Sequence, residues 1–153
     1  VTALEELREI DVGELELQPA TPEAWAYHNE MLLDWLQGRV ERAFPGGDSY
    51  LTLCARMRAA LEEATRGRRD QHIVVVGHGG IFTVTMQDLC PGVDMWALLA
   101  GLAHNCSISE LLLRRQDGRL VGEIVSWGVH AHLSGEAADV IPGIPQASEE
   151  GGS

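Results

Sequence analysis

The sequence predicts an α/β chain with a mixed sheet, and three patterns carry that reading. Apolar residues recur every three or four positions in two stretches, Trp25 to Val40 and Leu51 to Ala64, as in amphipathic helices. The β-branched run within His72 to Val76 has the composition of a short strand buried on both faces. Two apolar segments, Ser107 to Leu113 and Leu120 to Trp127, flank Gln116-Asp117-Gly118, a strong short-range hairpin signal.

Local chemistry supplies the boundaries. Val1 to Leu4 alternates like the end of a strand, and Leu7 to Gly13 reads as a loop or extended connector. Thr21 is a natural N-cap and Pro22 suits the first helical position, so a helix runs from there to about Phe44, with Trp25, His28, Leu32, Leu36 and Val40 along its stripe. Pro45-Gly46-Gly47 breaks the chain, and Asp48 or Ser49 caps a second helix that buries Leu51, Cys54, Met57, Leu61 and Ala64 and stops at Gly67. After the strand, Gly77-His78-Gly79-Gly80 leads into a helix over Ile81 to Leu89 that ends before Pro91, and a shorter helix follows over Val93 to Ala103. Residues 1–135 form one domain, and 136–153, rich in Pro, Gly, Ser and Glu, form a loose tail.

Composition narrows the function classes. The net charge is -12, from 23 acidic and 11 basic residues, and every basic residue is Arg. An acidic surface repels nucleic acid and anionic membranes. Without lysine there is neither a Schiff-base amine nor a Walker-type phosphate loop. No apolar run approaches the ~20 residues of a membrane span, and no stretch reads as a signal peptide. Cys54, Cys90 and Cys106 form no C-x-x-C pair, so neither a disulfide framework nor a zinc ribbon follows, and a cytoplasmic protein is expected. His130 and His132 alternate beside His104 and Cys106, yet no acidic ligand shares a recognisable spacing with them, so they are read as loop or core histidines and no metal is assigned. His28, Trp25, Trp35 and Trp96 are read as packing residues or pocket walls.

The sharpest element is Val74-Val75-Val76-Gly77-His78-Gly79-Gly80, a strand ending in a glycine-flanked histidine with a helix directly after it. Ligands of open α/β sheets bind beyond the carboxyl ends of strands, and amides at the following helix start hold anions. The ring of His78 then faces a bound oxyanion, or it is a turn residue bonded to a neighbouring carbonyl. The His-Gly-Gly triplet also occurs in the oxyanion hole of α/β-hydrolases, but those require a Gly-x-Ser-x-Gly elbow, which this chain lacks.

Five segments in order carry a family resemblance. Val75 to Gly80 resembles the second-histidine motif of the histidine phosphatase superfamily. Leu7-Arg8-Glu9-Ile10-Asp11-Val12-Gly13 is similar to its Leu-x-Glu-x-x-x-Gly segment, and Pro45-Gly46-Gly47-Asp48-Ser49 to its Pro-Gly-Gly-Glu-Ser helix start, with Asp in place of Glu. Asn105 to Ser109 resembles its late Asn-x-Ser strand opening, and Trp127 to Leu133 its closing Trp-Asn-x-x-x-His-Leu, with Gly128 in place of Asn. The resemblance covers about residues 4–135 and implies a three-layer, phosphoglycerate-mutase-like fold with a mostly parallel sheet, incomplete in this chain. The family's nucleophile stands in an Arg-His-Gly segment and a further phosphate-binding arginine in Ser-x-Leu-x-Arg-Ala. Neither is found here, so the chain is expected to be the C-terminal part of a longer protein, in keeping with Val1 at its start.

The resemblance implies a two-step phosphoryl transfer in which the missing histidine attacks phosphorus and Glu9 protonates the leaving alkoxide. His78 stabilises the charge on the phosphoryl oxygens, with Gly79 and Gly80 at the substrate. Arg8 either reaches the phosphate or pairs with Glu5 or Asp11 on the surface. Unless the family role holds, Glu9 is one exposed carboxylate among several. No cofactor is implied; the partner is a small phosphorylated substrate, and an exposed sheet edge would favour a homodimer. Phosphoglycerate mutases carry a longer insertion than the single helix expected between Glu14 and Phe44, so a phosphomonoester phosphatase is favoured. A mutase and a non-catalytic phosphate- or partner-binding module are the alternatives, and the isolated chain is expected to be inactive.

Overall fold

The computed structural model describes residues 1–100 and 105–138. Four helices, α1 (Pro22–Leu36), α2 (Tyr50–Thr65), α3 (Gly79–Leu89) and α4 (Met95–Ala100), precede an antiparallel hairpin of β1 (Ile108–Gln116) and β2 (Arg119–Val129). Single 3-10 turns lie at Glu5–Leu7, Gly13–Leu17 and Gly135–Ala138. The expected tail beyond residue 138 and the expected helix end at 101–103 lie outside the described residues.

Helix starts follow the capping chemistry. The Thr21 hydroxyl accepts from the Ala24 amide at 3.2 Å, and Pro22 occupies the first turn. Ser49, not Asp48, caps α2, in a reciprocal box with Thr52. Leu53, Cys54, Met57, Ala60 and Leu61 form the buried face of α2, whereas Leu51 is exposed. The buried face of α3 adds Ile81, Val84, Met86 and Leu89, and Leu98 of α4 and Leu120 of β2 close the same core. A fully buried Leu, Ile or Met side chain of this kind contributes about 1.5–3 kcal/mol. The hairpin lies against the end of α3: a Cβ at Gly122 would come within 2.8 Å of Cys90 Sγ. Its turn is the expected Asp117-Gly118, with φ of 50° and 78°, the left-handed pair that a two-residue hairpin requires.

Four expectations are corrected, the first two in α1. α1 stops at Leu36 rather than near Phe44 because Gly38 turns left-handed (φ 88°) and the Gln37, Gly38 and Arg39 amides fold back onto the last carbonyls. Its buried residues are Met31, Asp34 and Trp35, about one position out of phase with the expected stripe. Asp34 is buried because Arg39 and Arg42 both pair with it. Phe44 leaves the helix and becomes an anchor of its own, stacked on His28 and edge-on to Trp35. Among the other expected packing residues, Trp96 is half exposed.

The largest correction concerns His72 to Val76. Among the described residues this segment joins no ladder, the sheet is β1–β2 alone, and Val74 and Val76 are 88% and 84% exposed. A strand buried on both faces needs a neighbour on each edge and a layer over each face; the described residues supply no edge neighbour, and only Val75 packs against the core. Val1 to Leu4 likewise forms no strand.

Candidate active site

Glu9 lies in the loop between the first two 3-10 turns, and its carboxylate reaches the start of α3. Oε1 accepts from the amides of Ile81 at 2.8 Å and Ile10 at 2.9 Å, and Oε2 accepts from the Gly80 amide at 3.1 Å. Gly80 and Ile81 are 71 and 72 residues away in sequence. His78 is the N-cap residue of α3, in extended conformation and with no capping bond from its own side chain. Glu9 therefore does the capping that His78 does not, and its negative charge sits at the positive end of the helix dipole. Glycine lets the carboxylate come this close: a Cβ on Gly80 would stand 2.7 Å from Oε1 and 3.0 Å from Oε2, while one on Gly79 would meet nothing within 4 Å. Chemically, Oε2 accepts one amide where Oε1 accepts two, which leaves it the oxygen with room to carry a proton.

The loop is held in place by the turn before α2. Asp11 and Asp48 are joined twice: the Asp11 amide donates to Asp48 Oδ2 at 3.0 Å, and the Asp48 amide donates to the Asp11 carbonyl at 2.8 Å. The Glu14 amide adds a bond to the Pro45 carbonyl at 2.9 Å. Such close approach explains two glycines. A Cβ on Gly13 (φ 57°) would lie 2.1 Å from the Pro45 carbonyl oxygen, and one on Gly47 would lie 2.3 Å from that of Asp11.

Arg56, on α2, closes the arrangement. Nη1 donates to the carbonyls of Glu6 and Arg8, each at 3.0 Å, and Nη2 to the Glu9 carbonyl at 3.3 Å and to Asp48 Oδ2 at 2.5 Å. The Arg56 and Asp48 side chains are only 13% and 7% exposed. Burial on its own pushes the Asp48 carboxyl up, but the Asp11 amide, the Arg56 guanidinium and the Thr52 hydroxyl together hold it below the ordinary aspartate range.

Glu9, His78, Gly79 and Gly80 thus meet at one helix start. Arg8 borders the same region, in an open groove of about 310 Å3 lined also by Glu9, Ile10, Asp11 and Glu16. Its guanidinium stands 4.0 Å from both Glu5 and Asp11. His130 and His132 turn to backbone carbonyls, of Gly128 at 3.0 Å and Cys106 at 3.1 Å, and His104 lies outside the described residues. Among the described residues no group of three or more His, Cys, Asp or Glu side chains could hold a metal ion. Sequence reasoning missed Arg56 altogether and saw Asp48 only as a cap. The one available signal was an arginine next to Met57 on the buried side of α2, without an acidic partner at helical spacing.

The model of the histidine phosphatase superfamily (branch 1) matches residues 1–125. A protein of Yersinia enterocolitica named "Probable phosphoglycerate mutase GpmB" is 31% identical over 140 residues, covering 87% of this chain and 61% of that protein. Proteins of the same name from Salmonella paratyphi B and Salmonella newport are each 28% identical over 137 residues, with the same coverage. The chain spans about three fifths of the length of the curated relatives it matches. No helix among the described residues is long and apolar enough to cross a membrane. With a family match over most of its length, and with the two segments that carry Glu9 and His78 meeting at the start of α3, this chain belongs to the histidine phosphatase superfamily.

Proposed function

We propose that the full-length protein is a metal-independent, cytoplasmic phosphomonoester hydrolase working through a phosphohistidine, with the attacking histidine supplied from outside residues 1–153. The observation that carries this reading is the Glu9 carboxylate on the first amides of α3, beside His78. A substrate phosphate drawn to the same helix start competes with Glu9 for those amides, which frees the carboxyl to face the ester oxygen. In the first step the histidine nitrogen bonds to phosphorus, the ester P–O bond breaks, and Glu9 gives its proton to the departing alkoxide. In the second, water attacks phosphorus, the P–N bond breaks, and Glu9 takes the proton back. His78 bears on the phosphoryl oxygens, with Gly79 and Gly80 at their side and Arg8 at the groove rim.

In this reading residues 1–135 belong to one three-layer domain. His72 to Val76 is then a strand of a mostly parallel sheet completed by the rest of the protein, which accounts for the exposure of Val74 and Val76. An edge left open would support a homodimer.

A hydrolase is favoured over a mutase because only α1 and one 3-10 turn lie between Gly13 and Phe44, which leaves little to cover the site and exclude water. The mutase reading draws its support from the names of the relatives. The test is phosphate release from p-nitrophenyl phosphate by the full-length protein in chelator, beside His78→Ala, with 3-phosphoglycerate isomerisation assayed in parallel. Metal-independent release that collapses in the variant supports the hydrolase. Isomerisation outpacing release supports the mutase, and neither activity makes the protein a binding module.

A further inference from the structure

We infer that Arg56 and Asp48 are positioning residues for Glu9, setting where its carboxyl meets the leaving group; this deepens the reading above and rests on Glu9 being the acid. A loop glutamate cannot hold its own place, since the backbone around it has no regular ladder. Here the carbonyls of Glu6, Arg8 and Glu9 all accept from one guanidinium, and that guanidinium is fixed by Asp48, whose other contacts bind Asp11 and Thr52. Both terminal nitrogens of Arg56 are fully committed, and its Nε is buried without a partner. The one uncommitted donor, Nε–H, is buried away from solvent, so Arg56 acts through Glu9 and not on the substrate. The planar fork matters, because a single ammonium cannot span carbonyls on two sides of the loop.

Leaving groups separate positioning from mere folding. Nitrophenolate departs without a proton, whereas an alkoxide needs one at the moment of cleavage. The full-length parent is compared with Arg56→Lys, Asp48→Asn and Glu9→Gln on p-nitrophenyl phosphate and on a primary alkyl phosphate, and melting is recorded for each. Glu9→Gln should lower the alkyl-to-aryl rate ratio by ~100-fold or more, the usual weight of a general acid. Arg56→Lys and Asp48→Asn should each lower the same ratio by ~10-fold or more, as expected for a displaced catalytic group. Equal loss on both substrates in these two variants, with the ratio still moved by Glu9→Gln, would sink the positioning role and leave the acid standing. An unmoved ratio in Glu9→Gln would remove the acid, and the inference with it. Should Arg56→Lys not fold, Asp48→Asn carries the comparison, and hydrogen exchange at the Ile10, Gly80 and Ile81 amides gives a second readout. Faster exchange there supports the role; parental protection overturns it.

Discussion

Replacing Gly80 with alanine separates what the Glu9 contact does for stability from what it does for chemistry. The new methyl would sit 2.7 Å from Oε1 and 3.0 Å from both Cδ and Oε2 of Glu9. Those atoms are the far end of a flexible side chain, so Glu9 yields and the backbone stays. The helix then loses its cap, at a cost of about 0.5–2 kcal/mol. Alanine in place of glycine in α3 returns about 1 kcal/mol through helix propensity. The net change is within about 1 kcal/mol, or a melting shift under ~4 °C for a protein of this size. On the proposed reading of Glu9 as the acid, chemistry should suffer far more: a catalytic group displaced by about 1 Å typically costs ~100-fold in rate. The assay is a thermal melt of the full-length Gly80→Ala protein, amide exchange at Gly80 and Ile81, and turnover of an alkyl phosphate. The expected result is near-parental melting, faster exchange at both amides and a large loss of turnover. Gly79→Ala meets open space and should leave the melt unchanged or slightly higher. A drop of more than ~10 °C in Gly80→Ala would mean that the backbone, not Glu9, absorbs the clash, and the argument would fail.

Other consequences are as direct. Because the Asp48 carboxyl is held below its unfolded value, its contribution to stability is full above about pH 4 and fades as pH falls from there through its folded value; Asp48→Asn should flatten that acid limb in pH-dependent melts. Gly47→Ala drives a Cβ into the Asp11 carbonyl at 2.3 Å with backbone on both sides, so it should lower stability by about 3 kcal/mol or more in a denaturant titration. Cys106 is exposed while Cys54 and Cys90 are buried, with burial pushing the Cys54 thiol up to about 11. Iodoacetamide at neutral pH should therefore label Cys106 alone, and the other two only in denaturant.

Elements whose causes lie within a few residues could be read from sequence. Thr21 and Ser49 cap their helices, Asp117-Gly118 turns the hairpin, and the Glu9 and His78 segments stand out as motifs. Elements whose causes lie far away could not. His72 to Val76 has strand composition but forms no ladder without neighbours, and composition cannot say whether they are present. α1 ends where Gly38 turns, and its phase follows from burying Asp34 between two arginines, which an apolar count excludes by construction. Arg56 was missed because three of its partners, the carbonyls of Glu6, Arg8 and Glu9, are 47 to 50 residues away and carry no sequence signature, and the fourth, Asp48, is not at helical spacing from it.

The double join between Asp11 and Asp48, with the Glu14–Pro45 bond beside it, has a consequence for how this scaffold can vary. It ties a neck, and everything between Gly13 and Phe44 is an excursion that leaves and returns at the same point. Chain can be added to or removed from such an excursion at only about 0.6 kcal/mol for each doubling of its length. The groups that hold Glu9, namely Arg56 and the start of α3, lie outside that excursion and meet its neck only at Asp48. Length can thus be added to or taken from this excursion while the groups that hold the Glu9 carboxyl stay in place, provided that Met31 and Trp35 keep their places in the core.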